Sequence, residues 1–296
     1  MADLLDVTRL TETGIVAASE YFQELGSTND YAKELARRPG LPIPYLVVAE
    51  HQTAGRGRGS NRWWTGTGSL AFSVICDMAS LAASERQAGY REALSGDTVT
   101  ASRSPGGMES AGGMERAEIG QGALARVVPA LAAGIAVCDA VRPLVPPGLS
   151  LGIRWPNDVY VGNRKLSGTL VETVACGRCV VGIGVNVNNR TSDAPDELRS
   201  RIVSLVDLTG SPLERNDVLE AILRGLRKLF ALSSSAIAGR ADAVCLQKGL
   251  SLEIQIGERI LSGCCRGIDG EGRLVLDTAS GTVHCASGVV RQHGQA

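Results

Sequence analysis

The sequence predicts an α+β fold in two domains, and three observations lead there. Its 296 residues, 44% of them apolar, suffice for about two domains with at least one sizeable core. From residue 45 to residue 187, β-rich runs surround one long helical pattern, so strands and helices share a unit. Past Gly249 the style changes to short alternating runs punctuated by glycine turns, which reads as a small all-β module. The division is placed at 1–245 and 246–296.

Ser27-Thr28-Asn29-Asp30 opens a capped helix with Tyr31 and Leu35 on one face, and Pro39-Gly40 stops it. Residues 45–49 read as a buried strand that feeds a glycine- and arginine-rich loop ending at Trp63-Trp64, and 69–76 read as the next strand. Residues 81–120 carry few large apolar groups and contain the near-repeat Gly106-Gly107-Met108-Glu109 and Gly112-Gly113-Met114-Glu115. Such a segment buries too little surface to offset its ordering entropy, so a disordered insertion is predicted.

Leu124, Val128, Leu131, Ile135 and Cys138 at helical spacing mark a core helix. Gly162-Asn163-Arg164 separates two strand runs as a hairpin, and 180–187 form a further strand, so these runs are expected to pair as a meander. Asp217 is predicted to cap an amphipathic helix carrying Val218, Ile222, Leu226 and Leu229, with Ser233-Ser234-Ser235 loosening the pattern. In the C-terminal module, Leu252, Ile254 and Ile256, then Leu274 and Leu276, alternate between turns at Gly257-Glu258, Gly270-Glu271-Gly272 and Ser280-Gly281.

A formal net charge of -1 gives no overall reason to expect a nucleic-acid or anionic-membrane partner. Residues 1–14 have no secretory or transit character, and the apolar stretch 124–141 is interrupted by Arg126, Pro129 and Asp139, short of a membrane span. A cytoplasmic protein is expected, with organellar import left open. Eight cysteines without a secretory signal point to reduced thiols. Cys176-Gly177-Arg178-Cys179 has metal or redox spacing, but no second pair completes a metal site, and Gly177-Arg178 reads better as a two-residue hairpin turn.

Gly55-Arg56-Gly57-Arg58-Gly59 alternates close-approach glycines with guanidinium groups, a pattern suited to phosphate or carboxylate oxygens. A solvated basic turn and, with Arg62, Trp63 and Trp64, a nucleic-acid contact are the alternatives. Trp63 is either a stacking surface for adenine or a core residue at a strand entry. Arg154-Trp155-Pro156-Asn157-Asp158 is by itself a tight turn, and Lys165 beyond it is either a surface lysine or a fixed point charge for a reacting carboxylate and phosphate. Gly182-Ile183-Gly184-Val185-Asn186-Val187-Asn188 places two glycines in a strand, which signals either a bulge or close approach by a ligand.

Taken in order, Ser27-Thr28-Asn29, Gln52-Thr53-Ala54-Gly55-Arg56-Gly57-Arg58-Gly59, Arg154-Trp155-Pro156-Asn157-Asp158, Arg164-Lys165-Leu166-Ser167-Gly168 and Gly182-Ile183-Gly184-Val185-Asn186 resemble the biotin–protein ligase family. The likeness covers residues 21–80 and 121–190, with weaker similarity at 263–272. It implies a mixed sheet with flanking helices, like that of class II aminoacyl-tRNA synthetases and lipoate ligases, followed by an SH3-like β-barrel. It also implies activation of biotin by ATP to biotinyl-AMP, with Mg2+, and transfer to a lysine in the biotin-acceptor domain of a biotin-dependent carboxylase.

By the same resemblance Ser27, Thr28, Asn29, Gln52, Gly55, Arg56, Gly57, Arg58, Lys165 and Gly168 would meet biotin. Arg56, Arg58, Trp63, Asn157, Lys165 and Asn186 would meet ATP, and Lys165, Arg56 and Asp158 would carry catalysis, Asp158 by orienting the acceptor amine. No residue is assigned to a metal. Arg154 stands where the family commonly has lysine, and the 81–120 segment is unusual between matching blocks. The arginine–double-glycine signature of lipoate ligases is not evident. With 26 residues ahead of Ser27, no helix-turn-helix domain and no operator binding are expected, and the chain should be a monomer or weak homodimer.

Overall fold

The computed structural model describes residues 5–77, 121–174 and 177–294. The 81–120 segment and Cys176 therefore lie outside the described residues. Seven strands form a mixed sheet: β1 (Ala18–Leu25), β2 (Tyr45–Gln52), β3 (Leu70–Asp77), β4 (Leu151–Arg154), β5 (Asp158–Val161), β6 (Arg164–Val174) and β7 (Arg178–Val185). Their order is β1-β2-β3-β7-β6-β5-β4, with β1 and β2 parallel and every other neighbour antiparallel.

Strand periodicity sorts side chains onto the two faces. Leu46 and Val48 of β2 and Val181 and Ile183 of β7 join one core with Leu131, Ile135 and Ala136 of the helix Gln121–Val141. Tyr45, Val47 and Val180 face the other way, against Ala32 and Leu35 of the helix Thr28–Leu35. On that second face β7 continues from Val180 with Gly182 and Gly184, so the sheet loses its side chains where the ligand cavity opens.

The second sheet holds β8 (Ser251–Ile256), β9 (Arg259–Ile268), β10 (Leu274–Thr278), β11 (Gly281–Cys285) and β12 (Val289–Gly294). Its order is β11-β10-β9-β8-β12, antiparallel throughout. Ile153 of β4 pairs with the segment that leads into the second sheet: its N–H donates to Val244 O (2.8 Å) and its carbonyl accepts from Leu246 N (2.9 Å). Leu252, Leu274 and Leu276 join the same buried cluster as the long helix.

Several expectations are corrected. Ser27 caps its helix as predicted, but Asp217 lies in the first turn of the helix Arg215–Leu229, whose N-cap position is Glu214. Ser233 does not loosen a pattern: its hydroxyl accepts from Ala236 N and starts a new helix, Ser234–Ala243. Val174 pairs with Arg178, so Arg178 is a strand residue and not part of the turn as expected. Strand β7 ends at Val185, leaving Asn186 and Asn188 beyond it. Arg126–Leu144 is long and apolar enough to cross a membrane by length and composition, more than the sequence reading allowed, and 67% of it is buried inside the fold.

Candidate active site

One cavity of about 620 Å³ runs along the glycine-bearing face of the large sheet and reaches the second sheet at Gly288 and Val289. It collects Ser27, Thr28, Asn29, Gln52, Arg56, Gly57, Arg58, Trp63, Asn157, Asp158, Lys165, Gly168 and Asn186. Gly55 is the exception: it does not line the cavity, and its carbonyl instead accepts Trp63 N–H at 3.0 Å to hold the loop's shape.

The inner end is a buried polar network. Gln52 Oε1 accepts both the N–H and the hydroxyl of Thr28 (2.8 and 3.2 Å), while Ser73 Oγ bonds Thr28 Oγ1 (2.8 Å) and Asn29 Oδ1 (2.7 Å). A Cβ at Gly182 would stand 1.9 Å from Asn29 Oδ1, and one at Gly184 would stand 2.3 Å from the Trp63 ring. Of the two readings left open by the sequence, close approach is what these glycines serve, though the atoms approaching them here are protein side chains.

Lys165 reaches the cavity through a β-bulge. Alternation along β6 turns Val171 to the helix-covered core and Glu172 to the cavity side, which by itself would send Lys165 coreward. Between Val159–Ser167 and Tyr160–Lys165 the register slips by one residue, Leu166 takes the core position, and Lys165 is re-aimed. Its Nζ lies 2.8 Å from Asp158 Oδ1 and 5.7 Å from the centre of the Trp63 ring.

Around this lysine the lining is cationic: Arg56, Arg58, Arg62, Arg154, Lys165 and Arg201 face a single carboxylate, Asp158. Arg56 is bound to Asp30 (2.5 Å) and Glu172 (3.2 Å), and Glu172 also binds Lys33 (3.0 Å). Burial pushes the Glu172 carboxyl up, but hydrogen bonds from Lys33 and Asn29 and the charges of Lys33 and Arg56 outweigh it, so it sits below the usual carboxylate range. Arg58 donates to Gly288 O at 2.7 Å, and burial lowers its pKa.

Asn157 Nδ2 donates to Thr169 O (2.6 Å). Asn186 is committed to the protein, donating to Val203 O (3.2 Å) and accepting from Asn189 (2.9 Å). Arg154 stacks over Tyr160 (4.1 Å) and bonds Asn163 (3.1 Å), a use of the planar guanidinium that a lysine would not reproduce. The sequence did not single out Arg201, Leu198 or Ile202, which also line the cavity; they lie in no motif, and only the parallel bridge between Lys165 and Ile202 reveals them.

A neutral polar pocket opening into a cation-lined mouth, with a lysine between them, suits an enzyme that joins a carboxylate to a phosphate. The biotin/lipoate A/B protein ligase family matches residues 21–100 and 114–188, reaching into the segment read as an insertion. A biotin–[acetyl-CoA-carboxylase] ligase of Mycobacterium tuberculosis is 31% identical over 97% of this chain and 95% of its own length. A bifunctional ligase/repressor of Bacillus subtilis is 26% identical over 88% of this chain and 70% of its length. The biotin protein ligase of Aquifex aeolicus, solved with biotin and ATP, superposes with a TM-score of 0.69 at 23% identity, covering 93% of this chain and 99% of that one. The chain belongs to the biotin/lipoate A/B protein ligase family.

Proposed function

We propose that this chain is a biotin–protein ligase that condenses biotin with ATP to biotinyl-5'-AMP and pyrophosphate, then transfers biotin to a lysine ε-amine in the acceptor domain of a biotin-dependent carboxylase. The observation that carries it is Lys165, aimed by the bulge at the junction of the buried polar pocket and the cationic mouth. Ser27, Thr28, Asn29 and Gln52 offer neutral donors and acceptors for an uncharged ureido ring, and Trp63 offers a flat apolar face for adenine.

Bringing a carboxylate to a phosphate is opposed by charge, and Lys165 with Arg56 and Arg58 offsets it. Arg56 must first leave Asp30 and Glu172, so ligand binding and loop rearrangement are coupled. Asp158 holds Lys165 in the free enzyme and is placed to receive the acceptor amine once the lysine turns to the ligand. Mg2+ would be carried by the triphosphate as part of the substrate, keeping several of its waters.

We further read 1–245 as the catalytic domain, with a class II synthetase-like sheet, and 246–296 as an SH3-like barrel, a reading supported by five short, consecutive antiparallel strands in the order β11-β10-β9-β8-β12. A net charge of -1 supports a protein that works without nucleic acid, and we propose a monomer or weak homodimer. The test is to incubate the protein with biotin, ATP, Mg2+ and a carboxylase acceptor domain, and to weigh the acceptor by mass spectrometry. An ATP-dependent gain of one biotin is expected, slowed about 100-fold or more in Lys165→Ala. A gain with lipoate on a lipoyl domain instead would reassign the substrate within the family.

A further inference from the structure

Among the described residues six cations line the cavity, and five of them are already engaged. Arg56 is held by Asp30 and Glu172, Arg58 by Gly288 O, Arg62 by Thr53 O, Arg154 by Asn163 and the Tyr160 ring, and Lys165 by Asp158. Arg201 differs. It lines the same cavity, is exposed, and among the described residues its guanidinium has neither a hydrogen bond nor an ion pair.

Its position is fixed from the backbone. Lys165 N–H donates to Arg201 O (2.8 Å) and Val203 N–H to Lys165 O (3.0 Å), a short parallel pairing that puts Arg201 beside the reacting lysine on its solvent side. Neighbouring Ile202 is buried, so the pairing is anchored while the arginine stays at the rim. An uncommitted guanidinium in a cavity with a single carboxylate is suited to a multiply charged oxyanion, which it can grip with two parallel N–H bonds.

We propose that Arg201 binds the β- and γ-phosphates of the nucleotide and holds the departing pyrophosphate; this rests on the ligase reading above. In the activation step a biotin carboxylate oxygen bonds to the α-phosphorus, the bond from that phosphorus to the oxygen bridging to the β-phosphate breaks, and the electron pair leaves on pyrophosphate. No proton changes hands. Lys165 serves the centre where the bond forms, and Arg201 serves the negative charge that collects on the leaving group.

The test compares Arg201→Ala, Arg201→Lys and Arg199→Ala in the full chain. Arg199 is a cation close in sequence that bonds Asp196 and Ala194 O and does not line the cavity. Calorimetry with inorganic pyrophosphate, with AMP and with biotin is run beside adenylate formation. Arg201→Ala is expected to weaken pyrophosphate binding and raise the KM for ATP about tenfold each, leaving AMP and biotin affinities within about twofold. Arg201→Lys should recover part of the loss, and Arg199→Ala should match the unaltered protein.

Unchanged pyrophosphate binding in Arg201→Ala overturns the assignment, as does an equal loss for AMP or an equal loss in Arg199→Ala, which would mark a diffuse field. If the unaltered protein forms no adenylate yet binds pyrophosphate through Arg201, the anion site stands and the ligase reading falls.

Discussion

At Gly182 and Gly184 one methyl group decides the shape of the cavity. A Cβ at Gly182 would drive into Asn29 Oδ1 and one at Gly184 into the Trp63 ring, and neither neighbour is a loose surface side chain. Overpacking of this kind costs roughly 1–3 kcal/mol. Gly182→Ala is therefore expected to weaken biotin binding about tenfold or more, and Gly184→Ala to act mainly on ATP; calorimetry with each ligand separates the two. Arg56 has a pH dependence of its own. Its partners Asp30 and Glu172 are held below the ordinary carboxylate range, so their grip is complete above about pH 4 and is lost as pH falls through their lowered values. Limited proteolysis of residues 55–62 should accelerate across that acid window. Most of these residues were legible beforehand because glycine, arginine and asparagine stand in unusual clusters. Arg201 was not: nothing local separates it from any surface arginine, and its role comes from a partner strand position 36 residues away.

Among the elements, those with a clear apolar run or alternation could be read and those without one could not. The helix Gln121–Val141 and strands β2, β3 and β7 follow from apolar spacing, whereas β1, with its half-buried polar residues, and β4, only four residues long, left no pattern. The bulge at Leu166 is invisible to a period-2 argument because it breaks that period. In the second sheet the β9–β10 turn is built around Asp269, which accepts from Glu271 N (3.0 Å), Arg273 N (2.9 Å), Arg273 Nε (2.7 Å) and pairs with His284 (2.7 Å). Burial raises its pKa, but bonds from His284 and Arg273 prevail and hold the carboxyl low. Asp269→Ala should cost about 1–3 kcal/mol by leaving those donors unpaired, read as a lower melting temperature. Because the folded-state pKa is depressed, that contribution is present above about pH 4 and fades on further acidification. In the helix Arg215–Leu229, Arg215 is nearly buried against Glu50 (2.7 Å), and Glu50→Gln should destabilise the chain by weakening that pair's charge balance.

At the scale of the whole molecule, the second, all-antiparallel sheet that begins at Ser251 was legible as a change of style past Gly249, but the dependence of one sheet on the other was not. Trp155 is 2% exposed; its backbone N–H donates to Gln247 Oε1 (2.6 Å) and its indole N–H to Gly272 O (2.9 Å), so the segment carrying Asn157 and Asp158 is held from the C-terminal side. A chain ending at residue 245 is expected to lose adenylate formation by more than tenfold even where it stays folded by circular dichroism. Deleting 82–118, by contrast, should leave turnover within about twofold, as its composition offers little to a core. The three tryptophans of the chain, Trp63, Trp64 and Trp155, all line the one cavity. The protein thus carries its own optical reporter: its intrinsic tryptophan emission arises wholly at the site, so each ligand that enters changes a signal undiluted by indoles elsewhere.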